Sequence, residues 1–285
     1  MKTVKAKARG VVMTSEKSRS LNLKSVSNAR ELGGYKTKDG KTIKRGLLLR
    51  TGHLLDVTED EKAVLADKYD LYAIGDLRSE REAAEKPDPT IGTSKNYGMS
   101  VFDMLSAKDY APESNAPSIA ELDLITVYNI SKAYGLLEDD LYVKILESPK
   151  GKEGYTKFFK MLSEAPRNRA VLWHCTGGKD RTGMASALLM SVLGVDEETV
   201  VEDFMATNVF NAERIEKTRR SLTAKNVDNE VIDGVIILVD GVDKRFLTNA
   251  ISFMKEKYGS VKGYVKTALG VTDEEIEELK NKYLE

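Results

Sequence analysis

The chain has 285 residues, 41% of them hydrophobic, enough to bury a sizeable core. Its formal charge of −1 provides no global basic field that would draw it to nucleic acid. One cysteine and two histidines exclude an intramolecular disulfide, a thiol relay within the chain and a His-rich metal site.

Charge is unevenly spread at the two ends. Residues 1–27 carry seven Lys/Arg against Glu16, while Val271 to Glu285 is acidic, and both are expected to be solvated ends. Met1 to Gly10 starts basic but no apolar run follows, and no window has the length of a membrane span. The expectation is a soluble chain with no transmembrane segment, the choice between cytoplasm and secretion staying open.

In chain order, Val11 to Met13 has strand character, and Gly33-Gly34 with Asp39-Gly40 mark turns. Leu47 to Arg50 reads as a short strand, and Thr58-x-x-Glu61 is a capping box opening a helix to about Lys68. Leu71 to Asp76 is a buried strand, followed by the turn Pro87-Asp88-Pro89 and a strand over Asn96 to Phe102. Residues 103–135, rich early on in Ser, Ala, Asp and Pro, read as a mobile insertion. Leu136 to Glu147, Gly154 to Glu164 and Arg181 to Leu193 have helical spacing, and Ala170 to Trp173 is an apolar strand. Helices dominate from Asp196, with Thr272-x-x-Glu275 capping the last. The pattern predicts an α/β fold with a mostly parallel central sheet flanked by helices, the strand ending at His174 being central. The predicted organisation is a basic segment over 1–27 and one domain over 28–285, in which 196–285 forms a helical tail or cap.

The chemistry concentrates in His174-Cys175-Thr176-Gly177-Gly178-Lys179-Asp180-Arg181-Thr182-Gly183. Strand, tight loop and helix follow one another here, with a thiol at the strand's end. Such a loop aims successive backbone N–H groups at one point, and the helix N-terminus adds positive potential. Gly177 and Gly178 permit the backbone angles that let the amides of Thr176 to Arg181 converge. Arg181 offers a planar fork to two oxygens of a tetrahedral dianion. The same field favours a Cys175 thiolate, which makes phosphoryl transfer to sulfur the predicted chemistry.

The C-x5-R spacing, and more specifically HC-x-x-GKDRTG, resembles the atypical bacterial tyrosine or dual-specificity phosphatases, some of which act on phosphoinositides. Further stretches are similar to that family's motifs: Asn28 to Tyr35 (NARELGGY), Leu49 to Leu54 (LRTGHL), Asp76-Leu77-Arg78-Ser79 with Glu82, and Tyr258 to Gly270. Ala29 stands where the family has an aromatic residue, and Glu31 where it has Asp. The resemblance implies a cysteine-dependent phosphatase fold and a metal-independent enzyme without a cofactor. It would hydrolyse phosphate monoesters on phosphotyrosine proteins, and on phosphoserine/threonine or phosphoinositides, and release inorganic phosphate. The alternatives are a phytase-like inositol-polyphosphate phosphatase, needing a wider basic pocket, and a non-catalytic phosphate-binding module. Arsenate reductases share C-x5-R but need further cysteines. The Gly-Gly-Lys run lacks the upstream Gly and following Ser/Thr of a nucleotide-binding loop.

Roles follow. Cys175 is the nucleophile and Arg181 the clamp on the equatorial oxygens. Thr176, Gly177, Gly178, Lys179, Asp180, Arg181 and Thr182 form the substrate-binding loop, with Thr182 expected to hydrogen-bond the Cys175 sulfur. His174 orients the loop, Trp173 is core, and Lys179 either faces solvent or reads a second phosphate. The general acid is Asp103, which follows an apolar strand as in dual-specificity phosphatases, or Asp180, with Asp103 slightly preferred. Asp88 reads as a turn residue, and Asp76 with Arg78 as a brace.

Overall fold

The computed structural model describes residues 19–103 and 122–285. The expected strand Val11 to Met13 and much of the expected insertion lie outside the described residues. One sheet has the order β1-β2-β5-β3-β4, with β1 Arg30–Glu31, β2 Leu48–Thr51, β3 Leu71–Asp76, β4 Lys95–Gly98 and β5 Ala170–His174. Only the edge pair β1–β2 is antiparallel; the other pairings are parallel. Every residue of β5 is buried, as a strand central in a sheet covered on both faces requires. Thr51 and Asp76 both pair level with His174, so three neighbouring strands end together beneath the loop that follows.

Two helices connect the first strands. The Thr58/Glu61 capping box opens α1 (Glu59–Ala63), which continues as a π turn over Val64–Lys68. Ser79 and Glu82 form a second capping box on α2 (Glu80–Glu85). The strand expected over Asn96 to Phe102 stops at Gly98, where the Met99 amide makes a last bond to the Asp76 carbonyl at 2.8 Å. Met99 and Val101 stay buried beyond it, with no partner strand among the described residues.

Within the expected insertion, α3 (Leu124–Ala133) is capped by Asp123. The helix expected from Leu136 begins five residues later as α4 (Leu141–Glu147), after a turn with Gly135 at φ 71°. The next, α5 (Pro149–Glu164), starts earlier than its apolar spacing suggests, because Ser148 caps it and Pro149 occupies its first turn. There follow α6 (Asp180–Leu193), α7 (Glu197–Phe210), α8 (Ala212–Thr223), α9 (Asn229–Val239), α10 (Lys244–Tyr258), α11 (Val261–Leu269) and α12 (Asp273–Tyr283).

The main core joins α5, α6, α10 and α11 to one sheet face, with Trp173 wholly buried edge-on to Phe158 at 5.3 Å. Leu21, Leu23 and Val26 pack on the other face with Leu49 and Leu172. Within residues 19–27 the apolar side chains are packed while Asn22 and Lys24 stay exposed, and Arg19 is buried with its guanidinium 4.1 Å from the Tyr35 ring centre. The C-terminal end keeps its acidic residues exposed while its apolar residues pack inward. Ile276, Leu279 and Tyr283 are buried, and Lys282 Nζ donates to the carbonyls of Leu162, Ser163 and Ala165 at the end of α5. A separate small core, built on Tyr128, Leu222, Ile232, Val235 and Ile236, ties α3, α8 and α9 together. A Cβ on Gly234 would lie 2.3 Å from the Tyr128 ring, so glycine lets α3 and α9 approach closely. No helix among the described residues is long and apolar enough to cross a membrane.

Candidate active site

The loop between β5 and α6 is braced from below. Gly178 has φ 63°, and a Cβ there would lie 2.3 Å from the Thr51 carbonyl oxygen, so only glycine fits without strain. Its own carbonyl accepts from Asn28 Nδ2 at 2.7 Å and Arg50 Nη2 at 3.0 Å. Arg50 and Arg30 converge on Asp203 of α7, at 2.6 and 3.1 Å, and all three side chains are buried. Tyr35 donates to the same carboxylate at 3.3 Å. Burial alone would raise the Asp203 carboxyl, but the two guanidinium groups hold it below the ordinary range. The stretches NARELGGY and LRTG thus supply a polar brace under the loop, completed by Asp203, which sequence reading did not single out. The variant Glu31 stays in local use, taking Arg45 Nη1 at 2.8 Å and the Gly46 amide at 2.6 Å.

Above the loop lies a pocket of about 340 Å³. Cys175, Thr176, Gly177, Lys179, Asp180 and Arg181 line its floor, and Phe102, Leu137, Leu141, Ile237, Leu238 and Phe246 form apolar walls. Arg181 is held by Glu82, with Nη1–Oε2 at 2.6 Å and Nη2–Oε1 at 3.1 Å, and also donates to Thr176 Oγ1 at 3.2 Å. Burial would lower Arg181, but the charges of Cys175 and Glu82 raise it above its ordinary value. Despite its own burial, Glu82 is pulled down to about 2 by the Arg181 hydrogen bond and charge. A depressed carboxylate stabilises the fold above its unfolded value and loses that contribution as pH falls towards about 2, so this pair is ionised throughout the neutral range.

Lys179 neither faces solvent nor projects into the pocket unengaged. Its Nζ donates to the carbonyls of Ile237 at 2.5 Å and Gly241 at 3.0 Å, and lies 3.2 Å from Asp180 Oδ2. The Ile237 carbonyl lies in the last turn of α9, where backbone acceptors lack helical partners, and Gly241 follows the helix end. The other Asp180 oxygen accepts from Tyr142 at 2.6 Å. The Tyr142 phenol is pushed well above its ordinary value, first by burial and then by Asp180, so it is a donor.

Asp103 is not among the residues lining the pocket. It forms an ion pair with Lys150 at 2.7 and 2.8 Å, with 65% of its side chain exposed. The expected Thr182 contact to sulfur is also missing: Thr182 is fully buried, and its Oγ1 has no hydrogen-bond partner among the described residues. Trp173 is core, as expected, with its Nε1 donating to Ser186 Oγ at 3.2 Å.

Behind the nucleophile, Asp76, Asp88 and His174 bring ligand-type atoms within 4.8 Å of one another. All four carboxylate oxygens have a hydrogen-bonding partner, Arg78 for three of them and His174 Nε2 for Asp88 Oδ2. Asp88 is thus part of a buried cluster beside the loop, a role its Pro-Asp-Pro setting does not reveal.

Residues 21–285 match the Tyrosine phosphatase family. A Cupriavidus necator protein provisionally named a tyrosine-protein phosphatase is 25% identical over 264 residues, covering 91% of this chain and 86% of its own. The triple specificity protein phosphatase PtpB of Mycobacterium tuberculosis is 24% identical over 245 residues, 79% of this chain and 87% of its own. A tyrosine-protein phosphatase of Nostoc commune is 25% identical over 239 residues, covering 80% and 70%. With its α/β fold and its Cys175–Arg181 loop, the chain belongs to the tyrosine phosphatase family and is a protein-tyrosine-phosphatase-type hydrolase.

Proposed function

We propose that this enzyme hydrolyses phosphotyrosine in proteins through a cysteinyl-phosphate intermediate. The observation that carries the reading is a loop floor able to hold a phosphoryl group beneath walls that are apolar. In the first step Cys175 Sγ attacks phosphorus, the S–P bond forms and the P–O bond to the leaving phenol breaks. Loop amides and Arg181 hold the equatorial oxygens, with Glu82 keeping the guanidinium plane in register.

Asp180 supplies the proton to the leaving oxygen. Asp180 lines the pocket floor, its carboxyl oriented by Tyr142, whereas Asp103 is engaged with Lys150 and does not line the pocket. In the second step water attacks phosphorus, its proton returns to Asp180, the S–P bond breaks, and inorganic phosphate and the thiolate are released. No step draws on a metal or cofactor.

The walls favour an aryl leaving group over a densely charged one. Among the described residues, the Lys and Arg side chains lining the pocket are Arg181, Lys179 and Arg214, and each is engaged, Arg214 Nε with Asp240 at 2.9 Å. Inositol polyphosphates would have to displace these partners, which speaks against a phytase-like activity. Phosphoinositides carry apolar tails suited to the walls but need Lys179 to leave its carbonyls. Phosphoserine and phosphothreonine, shorter than phosphotyrosine, would leave the apolar walls largely unfilled.

Rates on a phosphotyrosine peptide, a phosphoserine peptide, phosphoinositide micelles and inositol hexakisphosphate test the reading. The expected kcat/KM is highest for phosphotyrosine and lowest for the hexakisphosphate. Preference for the hexakisphosphate would overturn it.

A further inference from the structure

The buried cluster behind Cys175 has a charge balance that fixes a proton. His174 Nδ1 lies 3.1 Å from the Cys175 carbonyl oxygen, which can only accept, so Nδ1 carries hydrogen. His174 Nε2 lies 2.8 Å from Asp88 Oδ2. The other Asp88 oxygen accepts from Arg78 Nη2 at 2.9 Å, and Arg78 also makes a bidentate pair with Asp76. The side chains of His174, Arg78, Asp88 and Asp76 are all at least nine-tenths buried. Two carboxylates and one guanidinium leave one negative charge, and a single proton shared between Asp88 and His174 brings the cluster to neutrality. A buried uncompensated charge is costly, so the proton is retained. The Asp88 carboxylate is also stabilised at its other oxygen by Arg78.

We propose that Asp88 is a positioning residue that holds His174 as an imidazolium, placing a fixed positive charge on the residue before the nucleophile. That charge favours the Cys175 thiolate, and the Nδ1–H bond to the Cys175 carbonyl aims the start of the phosphate loop. Asp88 acts only through His174 and does not touch substrate. The proposal rests on the reading of Cys175 as nucleophile and adds what sets its ionisation.

The charged and titratable groups facing His174 are Asp76 and Arg78 at the end of β3, Asp88 in the following loop, His53 after β2, and Cys175. Burial, with the charges of Arg78 and His174, holds His53 below the usual imidazole range despite Asp56, so it does not replace His174 as the cation. Burial would raise Asp88, but the His174 hydrogen bond and charge, with Arg78, bring it below its ordinary range.

Asp88→Asn removes the charge yet keeps a bonding partner: the amide can donate to Nε2, leaving a fully bonded neutral imidazole. The rate of Cys175 alkylation by iodoacetamide against pH reads the thiolate directly. The midpoint should rise by about one pH unit or more in Asp88→Asn. The same substitution in a His174→Asn background should leave the midpoint where that background puts it. An unchanged midpoint in folded Asp88→Asn, or an equal rise in the His174→Asn background, overturns the proposal.

Imidazole ¹⁵N spectra of the wild-type protein need no variant at Asp88 to fold. With two histidines in the chain, His53→Gln completes the assignment. Both His174 nitrogens should be protonated at neutral pH, and a neutral tautomer there would equally overturn the proposal. Neither readout uses turnover. Loss of the nucleophile reading itself would show instead as phosphatase activity surviving in Cys175→Ser.

Discussion

The phosphate loop is held very differently on its two sides. Below, Gly178 is gripped by Asn28 and Arg50, and Arg50 shares the buried Asp203 with Arg30. Above, α3, α8 and α9 have their own small core and meet the loop through Lys179 at the end of α9. The lower side consists of ionised groups with no exposed side-chain surface at either arginine, while the upper side is mostly aliphatic wall. The lower side is a buried ionic network beneath the loop, and the upper side is an apolar wall over it.

The largest expected effect lies between the two sides, at Asp180. Asp180→Asn should lower the rate on phenyl phosphate about 10²–10⁴-fold and scarcely alter it on a highly activated aryl phosphate, since general acid catalysis matters most for poor leaving groups. Asp103→Asn should leave both rates near wild type. A leaving-group-dependent loss at Asp103 with indifference at Asp180 would reassign the acid.

Below the loop, Asp203→Asn should destabilise the fold by roughly 3–5 kcal/mol, because two buried guanidinium groups lose their counter-charge. Denaturant midpoints measure this. The sign with pH follows from a depressed carboxylate: the contribution is present above the unfolded carboxyl value and fades as pH falls below it. A loss under about 1 kcal/mol, the range of exposed pairs, would mean that the lower brace is no firmer than the surface.

Above the loop, Lys179→Ala should cost less, about 1.5–3 kcal/mol for lost charge-assisted bonds, and its effect should be local. Amide exchange should accelerate in α9 while β5 and α6 keep their protection. Uniform acceleration through β5 would erase the contrast between the two sides.

Much of the lower side was legible in the sequence because backbone requirements leave residue signatures. Glycines beside a C-x5-R spacing mark the loop, the apolar run before His174 marks a central strand, and Thr58-x-x-Glu61 marks a helix start. The partners were less legible. Asp203 follows Glu202 in an ordinary helical stretch, and nothing local tells that it faces two arginines more than 150 residues away in sequence. Asp88 in a Pro-Asp-Pro turn looks like turn chemistry, and its bond to His174 exists only because β3 and β5 are adjacent. Asp103 was singled out for its position after a strand; that strand ends at Gly98, and the side chain pairs with Lys150. Two basic residues within the two end segments were not legible as buried: Arg19 lies against an aromatic ring and Lys282 against helix-end carbonyls.

Rapid quenching of a single turnover of the wild-type enzyme on an activated aryl phosphate, with peptide mass spectrometry of the product, addresses the loop chemistry most directly. A phosphoryl adduct should appear on the peptide containing Cys175 within the burst of phenol release, decay with the steady-state rate, and be absent from Cys175→Ser. A burst with the phosphoryl group on any other residue, or turnover retained in Cys175→Ser, would contradict a covalent mechanism at this loop.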